Sequence, residues 1–154
     1  MERNREVKKV ALAADHRGFE MKGKLVLFLK ARGIEVQDFG TDSEESSDYP
    51  DFILKAAEAV GGGRFERAIG ICHSGIGSSI AANKVKGVRA ALVQNEEQAR
   101  LSREHNDSNM LILGSGYVGP DQAKKIVEVW LQTRFVEGRH ARRIDKITRY
   151  EKEH

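Results

Sequence analysis

The alternation of short apolar runs with longer amphipathic segments constrains the fold of this chain most strongly. Runs such as MLILG alternate with segments such as FEMKGKLVLFLKARG along most of the sequence. Strands that are apolar throughout and separated by helices indicate a parallel sheet with both faces covered. We therefore predict an α/β fold, a three-layer sandwich with a Rossmann-like, mostly parallel sheet of about five strands. The predicted strands are VALAAD, IEVQDFG, AIGIC, RAALV and MLILG.

Proline and glycine residues indicate where the predicted helices begin and end. Pro50 and Pro120 suit the first turn of a helix, because the N–H that proline lacks has no partner there in any case. Gly33 suits the left-handed position that follows a helix. A chain of 154 residues, of which 40% are hydrophobic, can bury one core. We predict a single domain over residues 1–154 that ends in a charged helix from about Arg139.

Composition argues against a membrane or secreted protein. No apolar run approaches the roughly 18 residues that a membrane span needs, and the first nine residues lack the apolar stretch of a signal peptide. The single cysteine, Cys72, can form no internal disulfide, which fits a reducing compartment. We expect a cytoplasmic protein without a membrane partner.

The net charge of +3 comes from the two ends of the chain. Residues 1–9 carry four Lys/Arg against two Glu, and residues 139–154 carry six Lys/Arg against three acids, so the segment between them is slightly acidic. Nucleic-acid-binding domains normally spread a basic stripe over one face, often with stacking aromatics, whereas aromatics are 6% here. The pattern disfavours nucleic acid as a partner and favours one small anion near the C-terminal arginines.

Polar, thiol and glycine residues collect after the predicted strands. Ligands of open parallel sheets bind beyond the carboxyl ends of the strands, so we predict the functional site at this edge. The residues concerned are Asp15 and His16 after the first strand, 40–47 after the second, 72–77 after the third, Gln94 after the fourth and 114–116 after the fifth.

The segment C-H-S-G-I-G-S-S-I leads from a strand through two glycines into a helix. The backbone N–H groups of such a loop favour a phosphate, a carboxylate or an enolate oxygen. The dinucleotide fingerprint needs a third small residue where this chain has Ile80, and the Gly-Lys-Ser/Thr of a Walker motif is absent from the sequence. A cysteine phosphatase would need an arginine where Ser78 stands. These comparisons disfavour NAD binding, NTP hydrolysis and phosphate-ester hydrolysis.

Three residues at this edge each have two interpretations that the local sequence leaves open. Cys72 is either a small, inert buried residue or a thiol at a helix N-terminus, where the thiolate forms more readily and acts as a base or nucleophile. Asp15 is either the N-cap of the first helix or a ligand contact. His16 is either a solvated neighbour of Asp15 or part of a site.

The same ambiguity applies to the C-terminal third of the chain. His105 ends a predicted helix and is either a cap for the last carbonyls or an acid/base group. Arg139, His140, Arg142 and Arg143 are either one solvated helix face or an anion site. Since Arg139 and Arg143 are four residues apart, both guanidinium groups can reach over one helix face toward a shared phosphate.

Six motifs follow one another along nearly the whole chain: ALAADHRGFE-K, DFGT with ESSDYPD, C-x-S-G-I-G-x-S-I-A-A-N-K, G-V-R-A-A, LSREHNDSN and EGRHARRI. In this order and spacing they resemble the ribose-5-phosphate isomerase type B family, which includes galactose-6-phosphate and allose-6-phosphate isomerases. A match of this many ordered motifs is far more specific than any single glycine loop.

The resemblance implies an enzyme that interconverts ribose 5-phosphate and ribulose 5-phosphate through a cis-enediolate, with no metal or other cofactor. It implies that Cys72 takes the carbon-bound proton and that His105 opens the sugar ring by proton transfer to the ring oxygen. A preorganised set of loop donors would hydrogen-bond the enediolate oxygens. The residues of that loop are His73, Ser74, Gly75, Ile76 and Gly77.

The resemblance also implies residues that bind the rest of the substrate, and a partner. Family positions that bind the phosphate correspond to Arg139 and Arg143, with His140 beside them. Family members build each site across a dimer interface, so a homodimer or homotetramer that binds a phosphorylated sugar is expected. Family positions that orient the sugar hydroxyls correspond to Asp15, His16, Tyr49 and Asn106.

Two positions depart from the family pattern. Relatives commonly read Cys-Gly-Thr/Ser-Gly where this chain has His73, which places an imidazole in the expected anion loop. Relatives commonly carry an arginine shortly after the fifth strand, where this chain has Gly116. One expected anion contact is therefore absent, and His73 is expected to reshape the loop or to touch the substrate.

Other functions stay open at this point. The nearest is the same chemistry on another phosphorylated sugar, such as allose 6-phosphate, galactose 6-phosphate or a tetrose phosphate. A non-catalytic nucleotide-binding module would need only the glycine loop, but it leaves Cys72 and His105 without a role. A thiol redox protein would need a second cysteine, which the sequence lacks.

Overall fold

The computed structural model describes residues 6–154. It contains one sheet of five parallel strands in the order β2-β1-β3-β5-β4. The predicted α/β fold is therefore confirmed. The strands are β1 (Lys9–Ala14), β2 (Glu35–Asp38), β3 (Arg67–Cys72), β4 (Ala90–Leu92) and β5 (Met110–Gly114). The helices are α1 (Phe19–Ala31), α2 (Tyr49–Gly61), α3 (Ile76–Ala82), α4 (Glu96–Asn106), α5 (Pro120–Gln132) and α6 (Arg139–Glu153).

The sheet is the middle layer of three because successive side chains of a strand point to opposite faces. In β1, Val10 and Leu12 belong to a core shared with α1 and α5, whereas Ala11 and Ala13 belong to a core shared with α2. Trp130 of α5 is the largest fully buried side chain of the first core. Both faces of the central strands are thus removed from water, as the apolar runs predict.

The predicted second strand is present, but the expectation that it is apolar throughout was wrong. β2 has the sequence EVQD and is largely exposed, because it lies at the edge of the sheet and pairs with β1 alone. Asp38 of this strand forms an ion pair with the buried side chain of Lys22, with 2.9 Å between Nζ and Oδ2. A short, charged edge strand is one common way to prevent pairing with another sheet.

The helix ends largely agree with the sequence signals. Pro50 lies in the first turn of α2 and Pro120 begins α5. Gly33 has φ of +75° directly after α1, in the left-handed region that favours glycine.

The direction of α4 determines where the C-terminal residues lie. α4 begins after the carboxyl end of β4 and ends just before the first residue of β5, so it returns the chain to the amino edge of the sheet. A buried network fixes this end: Arg103 Nη1 donates to Asp107 Oδ1 (2.8 Å) and to the Ser108 carbonyl (2.7 Å). Trp130 Nε1 donates to Ser108 Oγ at 2.9 Å. The last turn of α4 is therefore held rigidly against α5.

Candidate active site

Cys72 lies at the carboxyl end of β3, opposite Gly114 in the register with β5, and is only 5% exposed. Residues 73–77, which we call the cysteine loop, follow Cys72 and lie against the loop after β5. Ser115 N donates to the Cys72 carbonyl and Gly116 N donates to the His73 carbonyl, both at 2.9 Å. The thiol is thus set in a loop that two strands of the sheet support.

Three glycines in or next to these loops have no room for a side chain. A Cβ atom on Gly77 would lie 2.4 Å from Cζ of Tyr49, and one on Gly114 would lie 2.5 Å from the Ser74 carbonyl oxygen. Gly75 has φ of +79°, and a Cβ atom there would meet the Leu92 side chain at 2.5 Å. The cysteine loop is therefore clamped between the first residue of α2 and the loop after β5, which brings the predicted residue Tyr49 against it.

The cysteine loop presents backbone donors. Ser74 Oγ accepts from Ile76 N at 3.1 Å, which uses one amide of the first turn of α3. Within residues 6–154, the amides of Gly75, Gly77 and Ser78 donate to no protein acceptor. Amides without a protein partner at a turn are suited to bind an anionic or carbonyl oxygen of a ligand.

The loop between β1 and α1 brings Asp15 and His16 to the same edge. The interpretation of Asp15 as N-cap was wrong, since Gly18 holds that position. Asp15 Oδ1 instead accepts from the amides of Arg17 (3.0 Å) and Gly18 (3.2 Å), which closes the turn before the helix. Ser47 N donates to His16 Nδ1 at 3.1 Å, so a neutral His16 carries its proton on Nε2.

The remaining predicted residues lie on α4 and α6. The rings of His105 and His140 are stacked, with centroids 4.2 Å apart and an angle of 13° between their planes. Burial lowers the pKa of His140. Electrostatic interactions with His105, Arg139 and Arg143 lower this pKa further. The carboxylate of Glu104 opposes the shift. His140 is therefore a buried ring with a lowered pKa that packs against His105.

The structure gathers the predicted residues into two groups and does not bring these together in one chain. Met110 pairs with Ala68, and Gly114 pairs with Cys72. The two ends of β5 are four residues apart, which is about 13 Å along the strand. His105 precedes Met110 at the amino edge, whereas Cys72 lies at the carboxyl edge. Among residues 6–154, no hydrogen bond, ion pair or ring contact joins the cysteine loop to His105 or to α6.

Asn106, Arg139 and Arg143 accompany His105 in the second group. All three are exposed, and Asn106 is the last residue of α4. Arg139 begins α6, so its guanidinium and that of Arg143 lie one helical turn apart. The group offers cations and an amide, without a carboxylate at these positions, which is the chemistry of an anion site.

Sequence reasoning missed Arg17, and it placed Ser47 at the carboxyl edge without assigning it a contact. Arg17 lies beside the cysteine loop, with Nη2 3.5 Å from Nδ1 of His73, and Ser47 holds His16. Ser47 fell within the stretch 40–47 expected at this edge, whereas the only signal for Arg17 was its place directly after Asp15 and His16. Neither residue type is distinctive by itself, so contacts across the fold were needed to find them.

Residues 6–154 offer neither a metal-binding cluster nor a membrane-spanning helix. Residues 6–154 contain no group of three or more His, Cys, Asp or Glu side chains placed to hold a metal ion. No helix in these residues is both long enough and apolar enough to cross a bilayer.

The fold and these residues define a class: a small, doubly wound α/β enzyme with one thiol in a glycine loop at the carboxyl edge of its sheet. The chain belongs to the ribose/galactose isomerase family, whose family model matches residues 10–147. The resemblance inferred from the ordered motifs is therefore confirmed.

Individual relatives agree with the family match over nearly their full lengths. Ribose-5-phosphate isomerase B of Escherichia coli is 46% identical over 145 residues, which are 94% of this chain and 97% of that protein. The structure of Clostridium thermocellum ribose-5-phosphate isomerase B is 54% identical and superimposes with a TM-score of 0.92, over 94% of this chain and 98% of that chain. The Mycoplasma genitalium enzyme, solved with bound ribulose-5-phosphate, is 42% identical with a TM-score of 0.92, over 95% and 97% of the two chains.

The clamp around the cysteine loop leads to a first prediction. Gly77→Ala places a methyl group 2.4 Å from the Tyr49 ring, so we expect the free energy of unfolding to fall by about 1–3 kcal/mol and isomerase activity to fall with it. Gly23→Ala is the matched control, because it also lies in a helix but has no atom within 4 Å of its Cβ position. That control should be neutral or stabilising by about 0.5–1 kcal/mol. Equal unfolding free energies for the two variants in denaturant titrations would contradict the clamp.

The lowered pKa of His140 predicts a pH dependence of stability. Below about pH 6.5 the unfolded chain binds a proton at His140 that the folded chain resists, so the free energy of unfolding should fall as the pH decreases through this range. His140→Phe retains an aromatic ring for the stack and should flatten this fall. The control His154→Phe changes an exposed histidine that stacks on Tyr150, and it should keep the wild-type slope. Identical slopes for wild type and His140→Phe between pH 7.5 and 5, at one protein concentration, would refute the assignment.

Proposed function

We propose that this chain is an aldose–ketose isomerase that interconverts ribose 5-phosphate and ribulose 5-phosphate. The observation that carries the proposal is the setting of Cys72, a single thiol at the end of β3 beside loop amides that have no protein acceptor in residues 6–154. Membership of the ribose/galactose isomerase family and the ribulose-5-phosphate bound to the M. genitalium relative support the same reaction.

The cysteine loop supplies the proton transfer between carbons. The Cys72 thiolate takes the proton from C2 of the open-chain aldose, and the electron pair of that C–H bond forms the C1–C2 double bond of a cis-enediolate. A proton moves from O2 to O1, and the Cys72 thiol then returns its proton to C1, which leaves a ketone at C2. The amides of the loop His73–Gly77 stabilise the charge on the enediolate oxygens, and each such donor is worth about 3–4 kcal/mol in comparable sites. The reaction needs no metal or redox cofactor, and its free thiol fits a reducing, cytoplasmic location.

The second group opens the sugar ring and holds the phosphate. His105 transfers a proton to the ring oxygen, and the stacked His140 keeps its imidazole in place. Arg139 and Arg143 bind the phosphate with guanidinium forks, which match phosphate geometry better than an ammonium group does. Asp15, His16, Tyr49 and Asn106 orient the sugar hydroxyls.

Each complete site takes its two groups from two copies of the chain. Because Cys72 and His105 lie at opposite edges of one sheet, a second copy is the source of the missing group. Exposed apolar side chains adjoin both groups: Ile76, Ile80 and Tyr117 near the cysteine loop, and Ile147 and Tyr150 on α6, are each more than half exposed. Apolar surface at these places is suited to a self-complementary contact, so we propose a homodimer, alone or within a homotetramer.

Other phosphorylated sugars are the main alternative substrates for the same reaction. The family description covers galactose as well as ribose isomerases, and the same proton transfer applies to allose 6-phosphate, galactose 6-phosphate or a tetrose phosphate. His73 and Gly116 lie beside Cys72 in this chain, so they are the positions expected to shift preference among these sugars.

Cys72→Ser tests the proposed base. An alcohol is a far weaker base than a thiolate, so kcat for ribose 5-phosphate should fall by about 10²–10⁴. Wild-type turnover should persist with a chelator present, and parallel assays with allose 6-phosphate, galactose 6-phosphate and erythrose 4-phosphate identify the preferred sugar. Matching unfolding transitions for both proteins serve as the control for folding. Retention of activity in Cys72→Ser would overturn this assignment.

Mixing two inactive variants tests whether sites are shared. If each site combines Cys72 of one chain with His105 of the other, a dimer of Cys72→Ala with His105→Ala contains one fully native site and one doubly mutated site. Random exchange of equal amounts then makes half of the dimers mixed, so activity should return to about a quarter of the wild-type value. No recovery after subunit exchange, shown to be complete with tagged chains, would place both residues in one chain.

A further inference from the structure

The side chain of His73 occupies the space above Gly116. A Cβ atom at position 116 would lie 2.3 Å from Cε1 of His73 and 2.8 Å from its Nδ1 and Nε2. The same ring lies near Tyr117, with 6.0 Å between the ring centroids. His73 and Gly116, two positions that the sequence analysis singled out, are therefore in direct contact. While His73 keeps this position, no side chain fits at 116.

Arg17 contacts the same imidazole from the loop after β1. Its Nη2 is 3.5 Å from Nδ1 of His73. An arginine side chain can only donate, so Nδ1 accepts and a neutral His73 carries its proton on Nε2. The backbone of Arg17 is fixed as well, because its N–H donates to Asp15 Oδ1 at 3.0 Å and its carbonyl accepts from Ser115 Oγ at 2.8 Å.

The guanidinium of Arg17 remains available to a ligand. Arg17 is exposed, and it forms no ion pair with a carboxylate in the part of the chain from 6 to 154. The neighbouring carboxylate of Asp15 accepts from backbone amides instead. Among the described residues, only Nη2 of the guanidinium contacts a side chain, that of His73, so its other N–H groups are open to a ligand. An unpaired cation at the carboxyl edge of a parallel sheet lies where ligands of such sheets bind.

We propose that Arg17 binds the phosphate group of the sugar phosphate and that His73, seated over Gly116, is the positioning residue for its guanidinium. A planar guanidinium binds a phosphate through two parallel hydrogen bonds, which a sugar hydroxyl cannot accept in the same way. Arg17 thereby adds a cation from the cysteine-loop side to Arg139 and Arg143. The inference rests on the function proposed above, because it takes a phosphorylated sugar as the ligand.

Arg17→Gln separates phosphate binding from the chemistry. We expect KM for ribose 5-phosphate and the inhibition constant of inorganic phosphate each to rise about tenfold or more, with kcat changed less than about twofold. The kcat/KM for unphosphorylated D-ribose should stay at the wild-type value. Arg64→Gln is the matched control, since it removes the same charge from an exposed arginine beyond α2, at the opposite edge of the sheet. Unchanged KM and phosphate inhibition in Arg17→Gln, or a loss confined to kcat, would overturn the proposal.

The contact between His73 and Gly116 is tested by a pair of variants in two backgrounds. Gly116→Ala drives the imidazole away from Arg17 and should raise KM for ribose 5-phosphate in the same direction as His73→Ala, without a matching loss of kcat. In the His73→Ala background, Gly116→Ala should have no further effect, because the ring that it displaces is gone. An equal effect of Gly116→Ala in both backgrounds would overturn the positioning role of His73.

A direct binding measurement distinguishes failure of this inference from failure of the proposed function. Calorimetry of inorganic phosphate with wild type, Arg17→Gln and Arg64→Gln requires no turnover. If the wild type isomerises no sugar phosphate, the proposed function fails, and the calorimetry alone decides on Arg17. Weaker phosphate binding in Arg17→Gln than in Arg64→Gln supports the inference, and equal binding in the two variants overturns it.

Discussion

The close approach of backbone segments at the carboxyl edge of the sheet is the constraint on which the rest of this structure depends. The loops after β1, β3 and β5 meet there, and a side chain on Gly18, Gly75, Gly77 or Gly114 would collide with a neighbouring loop, residue or ring. Glycine at these positions lets three loops share one small volume, so that a thiol, two histidines, a tyrosine and unpartnered amides lie side by side. The same crowding fixes their positions, which is the preorganisation that the proposed stabilisation of an enediolate would use.

A second constraint is the direction of the helices. In a parallel sheet each connecting helix must run back toward the amino edge, so a residue at the end of α4 lies a full strand length from the cysteine loop. His105 and the arginines of α6 are therefore remote from Cys72 within one chain. The shared site proposed above would make activity depend on subunit contacts as well as on folding. The exposed apolar residues on both groups are consistent with that arrangement.

The contact between His73 and Gly116 limits which side chains can lie at this edge of the sheet. An arginine at 116 and an imidazole at 73 would compete for one space, so the presence of one requires the absence of the other. In this chain the guanidinium comes from Arg17 on the neighbouring loop, with the imidazole between the two positions. The cation at this edge of the sheet is therefore carried by the connection between β1 and α1.

The sequence by itself determined the parts of this protein that depend on local periodicity and on motif order. Apolar runs predicted four of the five strands well, and MLILG matched β5 in full. Gly33 predicted the end of α1, and His105 lies next to the end of α4, as expected. The ordered motifs identified the family. Only the tertiary structure decided that β2 is an exposed edge, that Asp15 closes a turn and does not cap a helix, and that Arg17 and Gly116 both contact His73. The physical reason is that strand order and register bring together residues far apart in the chain, and no local pattern of side chains encodes which loops will share an edge.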